Sequence, residues 1–200
     1  MPRVPSRLER MGAMSPFEYL AVLVSLILGL GITHILTGVG RAIHRRGEIR
    51  TDLTHNLWTI ATFLILVLNW WVFFQSRSVS DWTFDQFLLV IGWAVAFYLM
   101  AVVLYPPGMK PGEDYGRVFQ VNRPWFLGLF IASSAIDILQ TASRGDLFHP
   151  PLYLPFVLHL IALAGIGMVV RRRGYHLFLA GYVLSIGLIW AIGARGALGE

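Results

Sequence analysis

The stretch YLAVLVSLILGLGITHILTGVG, residues 19–40, runs for 22 positions without an Asp, Glu, Lys or Arg. A hydrocarbon layer about 30 Å thick needs roughly 20 helical residues to cross it, so this stretch reads as a membrane helix on length and polarity alone. Five further runs of 18 to 22 residues share its character, at 57–75, 86–105, 124–143, 152–170 and 177–194. Backbone in lipid must satisfy its own hydrogen bonds, and unbroken apolar runs exclude the alternating pattern of a barrel. The expected fold is therefore all-α, a bundle of six transmembrane helices at about 17–42, 56–75, 85–105, 123–143, 151–170 and 176–195. A basic extension over 1–14, with Met1, Met11 and Met14 as alternative starts, leads into a single membrane domain over 15–200. The longest connection, 106–123, contains Pro106, Pro107, Gly108, Pro111 and Gly112 and no apolar periodicity, so it is expected to be a loop.

Composition agrees: 56% of the 200 residues are hydrophobic, only 14% are charged, and the mean hydropathy is +0.64. With no cysteine there is no disulfide, thiolate metal site, iron–sulfur cluster or cysteine nucleophile. The net charge of +5 comes from arginines between spans, which points to membrane orientation rather than to nucleic acid. Ten basic residues fall on one side: Arg41, Arg45, Arg46, Arg50, Lys110, Arg117, Arg123, Arg171, Arg172 and Arg173. Six fall on the other: Arg3, Arg7, Arg10, Arg77, Arg144 and Arg195. The positive-inside bias then predicts an N-out, C-out protein of a cell inner membrane with both termini periplasmic. No signal peptide is expected, because no apolar stretch precedes the first span.

Helix ends are marked. Ser15-Pro16-Phe17-Glu18 and Thr83-Phe84-Asp85-Gln86 are capping boxes, Asn122 is placed to cap the fourth helix, and Pro150-Pro151 open the fifth. Gly145 and Gly174 are expected to stop helices. In the first span, Ser25, Gly29, Thr33 and Thr37 recur every four residues, while Gly31 and Gly38 lie opposite. Small residues let membrane helices approach closely, so this helix is expected to be central, with packing contacts all round. Trp70, Trp71, Trp82 and Trp190 read as an interfacial aromatic belt, and Arg171, Arg172 and Arg173 as contacts for lipid headgroups.

Ionisable side chains inside a membrane face a partner, a bundle interior or a water-filled cavity, and they mark ion and proton paths. His34, Asp137 and His159 are the ones within the spans. Ser133, Ser134, Gln140, Thr141 and Arg144 share a face with Asp137, and a second polar stripe runs through His55, Thr59, Thr62 and Asn69. At about 1.5 Å per residue, Asn69, Asp137 and His159 lie roughly 8 to 12 Å below one membrane boundary, and His34 and His55 within about 10 Å of the other. The expectation is a proton- or ion-coupled transporter or channel, with Asp137 paired to His159 at one end and His34 with His55 at the other. No catalytic constellation is read. The alternatives are a non-catalytic membrane subunit or scaffold and a redox protein using haem b or a quinone near His55, Trp58 and Trp93. His34 and His159 are about 10 Å apart in depth, too far for one iron, and no His-x-x-His spacing suggests zinc. No cofactor or metal is therefore predicted. Six short helices enclose little interior, so a homo-oligomer or a membrane-protein partner is expected alongside the bilayer.

Overall fold

The computed structural model describes residues 15–75, 82–108, 112–148 and 150–196, so the basic extension at 1–14 lies outside the described residues. Among the described residues there are six α-helices and no strand: α1 (Pro16–His44), α2 (Leu53–Gln75), α3 (Phe84–Leu104), α4 (Tyr115–Ser143), α5 (Tyr153–Val169) and α6 (Arg173–Gly196). Five of them are long and apolar enough to cross a membrane. The exception is α5, apolar over 17 residues, or about 25 Å.

Both capping boxes form. Ser15 N donates to Glu18 Oε2 at 2.7 Å and Glu18 N to Ser15 Oγ at 3.2 Å. Thr83 and Gln86 exchange the same pair of bonds, each at 3.3 Å. Each box satisfies two amide hydrogens that the first turn leaves free. Gly145 sits at φ +81°, a left-handed position beyond the end of α4 that suits glycine. Gly174, by contrast, lies in the first turn of α6, since α5 already ends at Val169.

The start of α4 departs from the sequence expectation. The helix begins at Tyr115, capped by Asp114, whose Oδ1 accepts from Gly116 N at 2.7 Å. Asn122 is therefore a mid-helix residue, and Pro124 is carried inside the helix. Proline removes one backbone donor, here the one that would reach the Gln120 carbonyl four residues back. Arg123 fills that vacancy: its Nη1 donates to Gln120 O at 2.8 Å. The helix runs through its proline because the neighbouring side chain replaces the missing N–H.

Packing gives the central place to α2, which contacts α1, α3, α4 and α6, whereas α1 lies at the edge against α3 and α2. The face α1 turns inward carries Leu20, Val24, Leu28, Gly31, Ile35 and Gly38. A Cβ on Gly31 would touch Leu66 at 3.3 Å, and one on Gly38 would overlap the Tyr105 ring. The other small series points elsewhere. Thr33 and Thr37 are exposed, a Cβ on Gly29 would meet nothing within 4 Å, and Ser25 accepts from Trp70 Nε1 at 2.9 Å. Both faces of a membrane helix are apolar, so periodicity alone does not say which one packs inward. Gly38→Leu is expected to destabilise the protein by about 1 to 3 kcal/mol through overpacking, while Gly29→Leu leaves the melting temperature in detergent unchanged. Equal melting temperatures for the two variants would contradict this packing.

The loops α1–α2, α3–α4 and α5–α6 gather at one end, here the basic end, and are tied together there. Arg50 N donates to Glu113 O at 3.2 Å and Tyr115 N to Arg50 O at 3.0 Å. Asp52 caps α2 through Oδ1, which accepts from Thr54 N at 2.8 Å, while its Oδ2 receives Arg173 Nη2 at 2.7 Å. At the opposite end α5 and α6 meet only sparsely, and a space opens between them.

Candidate functional site

That space is an open cavity of about 530 Å³ lined by α2 to α6. Its walls are mostly apolar, formed among others by Phe97, Phe130, Leu160, Val183, Trp93 and Trp190. Five polar side chains reach it: Asn69, Ser133, Ser134, Asp137 and Tyr153. Most are already engaged. Asn69 Nδ2 donates to Ile65 O at 2.8 Å, and the two serine hydroxyls both donate to Phe130 O at 2.9 Å. These bonds return polar groups to their own helices and leave the cavity wall predominantly hydrocarbon in character.

Among the described residues, Asp137 carries the only carboxylate on this wall. A short relay orients it: Thr141 Oγ1 donates to Tyr153 OH at 3.0 Å, and Tyr153 OH donates to Asp137 Oδ2 at 2.7 Å. The helical spacing from Asp137 to Thr141 puts both on one face of α4, where the tyrosine at the start of α5 reaches them together. The Asp137 carboxylate makes no other hydrogen bond among the described residues. An apolar pocket with one convergent polar anchor is the usual form of a small-molecule site, and this volume lies within the ordinary range of about 300 to 1,000 Å³.

His159, the residue expected beside Asp137, lies outside the cavity. Its Nδ1 donates to Phe156 O at 3.0 Å and its Nε2 accepts from Tyr182 OH at 3.0 Å, so the histidine and the aspartate each have a tyrosine and do not pair. The helical period explains the miss, because Phe156 and Leu160 of α5 turn toward the cavity and His159 turns toward α6.

His34 and His55 converge at the basic end of α3. His34 Nε2 donates to Tyr105 O at 2.8 Å and His55 Nε2 to Leu104 O at 2.9 Å. The last carbonyls of a helix lack intrahelical partners, and two histidines from two other helices supply them. Around them, the His55 ring stacks on Tyr115 at 4.6 Å and meets the edge of Tyr105 at 4.8 Å. Thr59 Oγ1 donates to His55 O at 2.9 Å and lies 3.2 Å from Tyr105 OH, which therefore donates to it. With Nε2 engaged on a carbonyl, neither histidine presents that nitrogen to a haem iron. Among the described residues no group of three His, Cys, Asp or Glu side chains is placed to hold a metal ion.

The two polar regions are separated by packed aromatics: Trp58 lies 4.9 Å from Phe126 and 6.4 Å from Phe130, ring centre to ring centre. The hydrogen bonds of Asp137 and those of the His34–His55 pair share no residue among those described. Of the three arginines expected at lipid headgroups, Arg173 is paired with Asp52, while Arg171 and Arg172 are exposed.

Sequence reading missed Tyr153, Tyr182, Arg123 and His176. Arg123 is 8% exposed, and besides Gln120 O it reaches Met168 O, in the last turn of α5, at 3.4 Å. His176 Nε2 donates to Val170 O at 2.8 Å, capping the same helix end. Pro124 was the available signal, since it frees the carbonyl four residues earlier. No family model, curated protein or solved structure matches this chain, so the functional reading proceeds from the cavity itself.

Proposed function

We propose that this chain is a six-span inner-membrane protein, N-out and C-out, whose cavity binds a small lipophilic cation and exchanges it for a proton on Asp137. The orientation follows the basic residues, ten on the side taken as cytoplasmic and six on the other. The cavity then opens in the outer half of the bilayer. The observation that carries the exchange is the Asp137 carboxyl in an apolar wall, held by Tyr153 and ion-paired with no described residue. A carboxylate in such surroundings is costly unless a positive charge neutralises it, and a proton and an organic cation are alternative ways to do so. Binding is then written as Asp137–COOH plus cation giving the Asp137 carboxylate–cation pair plus a proton, and apolar walls favour a cation whose charge is dispersed over hydrocarbon.

The test uses tetraphenylphosphonium as the probe. Protein in detergent titrated across a pH series is expected to bind it saturably and to release protons into a weakly buffered medium. In liposomes an imposed pH gradient drives its uptake. Absence of both proton release and gradient-driven uptake would overturn the exchange.

A second reading, a subunit that docks on another membrane protein or on a second copy, is favoured by the Gly29, Thr33 and Thr37 face of α1, which lies on the outside of the bundle. It predicts that Gly29→Leu dissolves a complex seen by cross-linking in native membranes while leaving the monomer's melting temperature intact. A cross-linking pattern identical in wild type and variant would remove this reading.

A further inference from the structure

At the basic end, on the side of the bundle away from the cavity, the last turns of α1 and the first turns of α2 diverge around a groove of about 450 Å³. Its walls are the apolar side chains of Val39, Ala42, Ile43 and Ile60, the last two 57% and 53% exposed. Tyr105 and Thr59 form the floor. Arg46, Thr51 and Asn56 stand at its polar end, all exposed. From Val39 to Arg46 the groove follows α1 for about 10 Å along the helix axis, passing from membrane depth to the surface.

The floor is fixed before anything binds. Tyr105 sits in the space that Gly38 leaves by lacking a side chain, its carbonyl is held by His34, its hydroxyl by Thr59, and its ring by the edges of His55 and Tyr115. Arg46 is the available charge. Among the described residues the ion pairs are Arg45 with Glu48 and Arg173 with Asp52, so no described carboxylate pairs with Arg46. An unneutralised guanidinium at the mouth of a preformed hydrocarbon groove at headgroup level complements one class of molecule, which carries an anionic phosphate on an acyl chain.

We infer that this groove is a binding site for a single anionic phospholipid, with one acyl chain along Val39, Ala42, Ile43 and Ile60 and the phosphate at Arg46. Thr51 and Asn56 supply additional hydrogen-bonding groups for the phosphate or glycerol. The site shares no lining residue with the Asp137 cavity and stands independently of its function.

The experiment is native mass spectrometry of the full-length protein released from micelles doped with phosphatidylglycerol or with phosphatidylcholine of identical chains. Wild type is expected to retain one phosphatidylglycerol roughly fivefold more than phosphatidylcholine, the discrimination expected from one interfacial arginine. Arg46→Gln is expected to abolish that preference, and Ile60→Trp, which fills the groove, to lower retention of both lipids. Glycerol phosphate, which carries the headgroup chemistry without chains, is expected not to compete. Equal retention of the two lipids by wild type, an unchanged preference in Arg46→Gln, full competition by glycerol phosphate, or a bound second copy in place of lipid would each overturn the assignment. Both substituted residues are exposed, and an unchanged melting temperature in lipid-free detergent verifies folding of each variant.

Discussion

Asp137→Asn is expected to weaken tetraphenylphosphonium binding by roughly tenfold to a hundredfold, the loss associated with one charge-assisted contact in a poorly solvated site. Asparagine matches aspartate in size and its carbonyl still accepts from Tyr153 OH, so the cavity and the Thr141–Tyr153 relay persist. What disappears is the negative charge, and with it the proton that binding displaces. Trp93 and Trp190 line the cavity, so quenching of their fluorescence reports occupancy directly, with Trp190→Phe identifying its share of the signal. Proton release should vanish in the variant across the whole pH series. An affinity equal to that of wild type would mean that hydrocarbon contact alone holds the ligand and that Asp137 is a packing element of α4 and α5.

The second large effect is on stability. Arg123→Leu removes the donors that serve Gln120 O and Met168 O, leaving two carbonyls of different helices unpaired in a partly buried setting. At about 1 to 3 kcal/mol for each of the two stranded groups, the expected loss is about 2 to 6 kcal/mol, visible as a shift of the detergent unfolding midpoint. The mechanism is separable from simple loss of a large side chain. In the Arg123→Leu background, Pro124→Ala restores an N–H that can reach Gln120 O, so the double variant should recover part of the loss, whereas in the wild-type background the same change duplicates a donor already supplied. Strict additivity of the two substitutions would refute the replacement role of Arg123.

Most of the architecture was legible because it follows from one constraint, backbone satisfaction in hydrocarbon, which turns each long apolar run into a helix. The capping boxes at Ser15 and Thr83 likewise rest on local chemistry and form as expected. The misreadings share a cause: they required knowing which way a helix is rotated. Gly29 and Gly38 are equivalent by composition, and only the position of Tyr105 distinguishes them. His159 and Asp137 sit at similar depth, but depth does not fix azimuth, and each found a tyrosine that hydropathy counts as part of an apolar run. The start of α4 was misplaced for a different reason. Asn122 was read as the cap of a helix starting beside Pro124, but a proline inside a helix is tolerated when an adjacent arginine replaces the lost donor.

Asp52 touches both sides of the seam between α2 and α6, one oxygen on the first turn of its own helix and the other on Arg173. A bundle pinned in this way at one end and loosely joined at the other has a preferred direction of compliance. Widening the gap between α5 and α6 at the far end, as the jaws of a peg move about its spring, would strain the Tyr182–His159 bond that crosses it but no bond at the basic end. In the proposed exchange, the cation would therefore enter and leave on the side of the termini, where the cavity lies. The opposite end is closed by the Asp52–Arg173 bond and by the backbone bonds between the α1–α2 and α3–α4 loops, which the proposed exchange would have to open for passage to that side. On that proposal, the direction of exchange would be set by where the loops are tied.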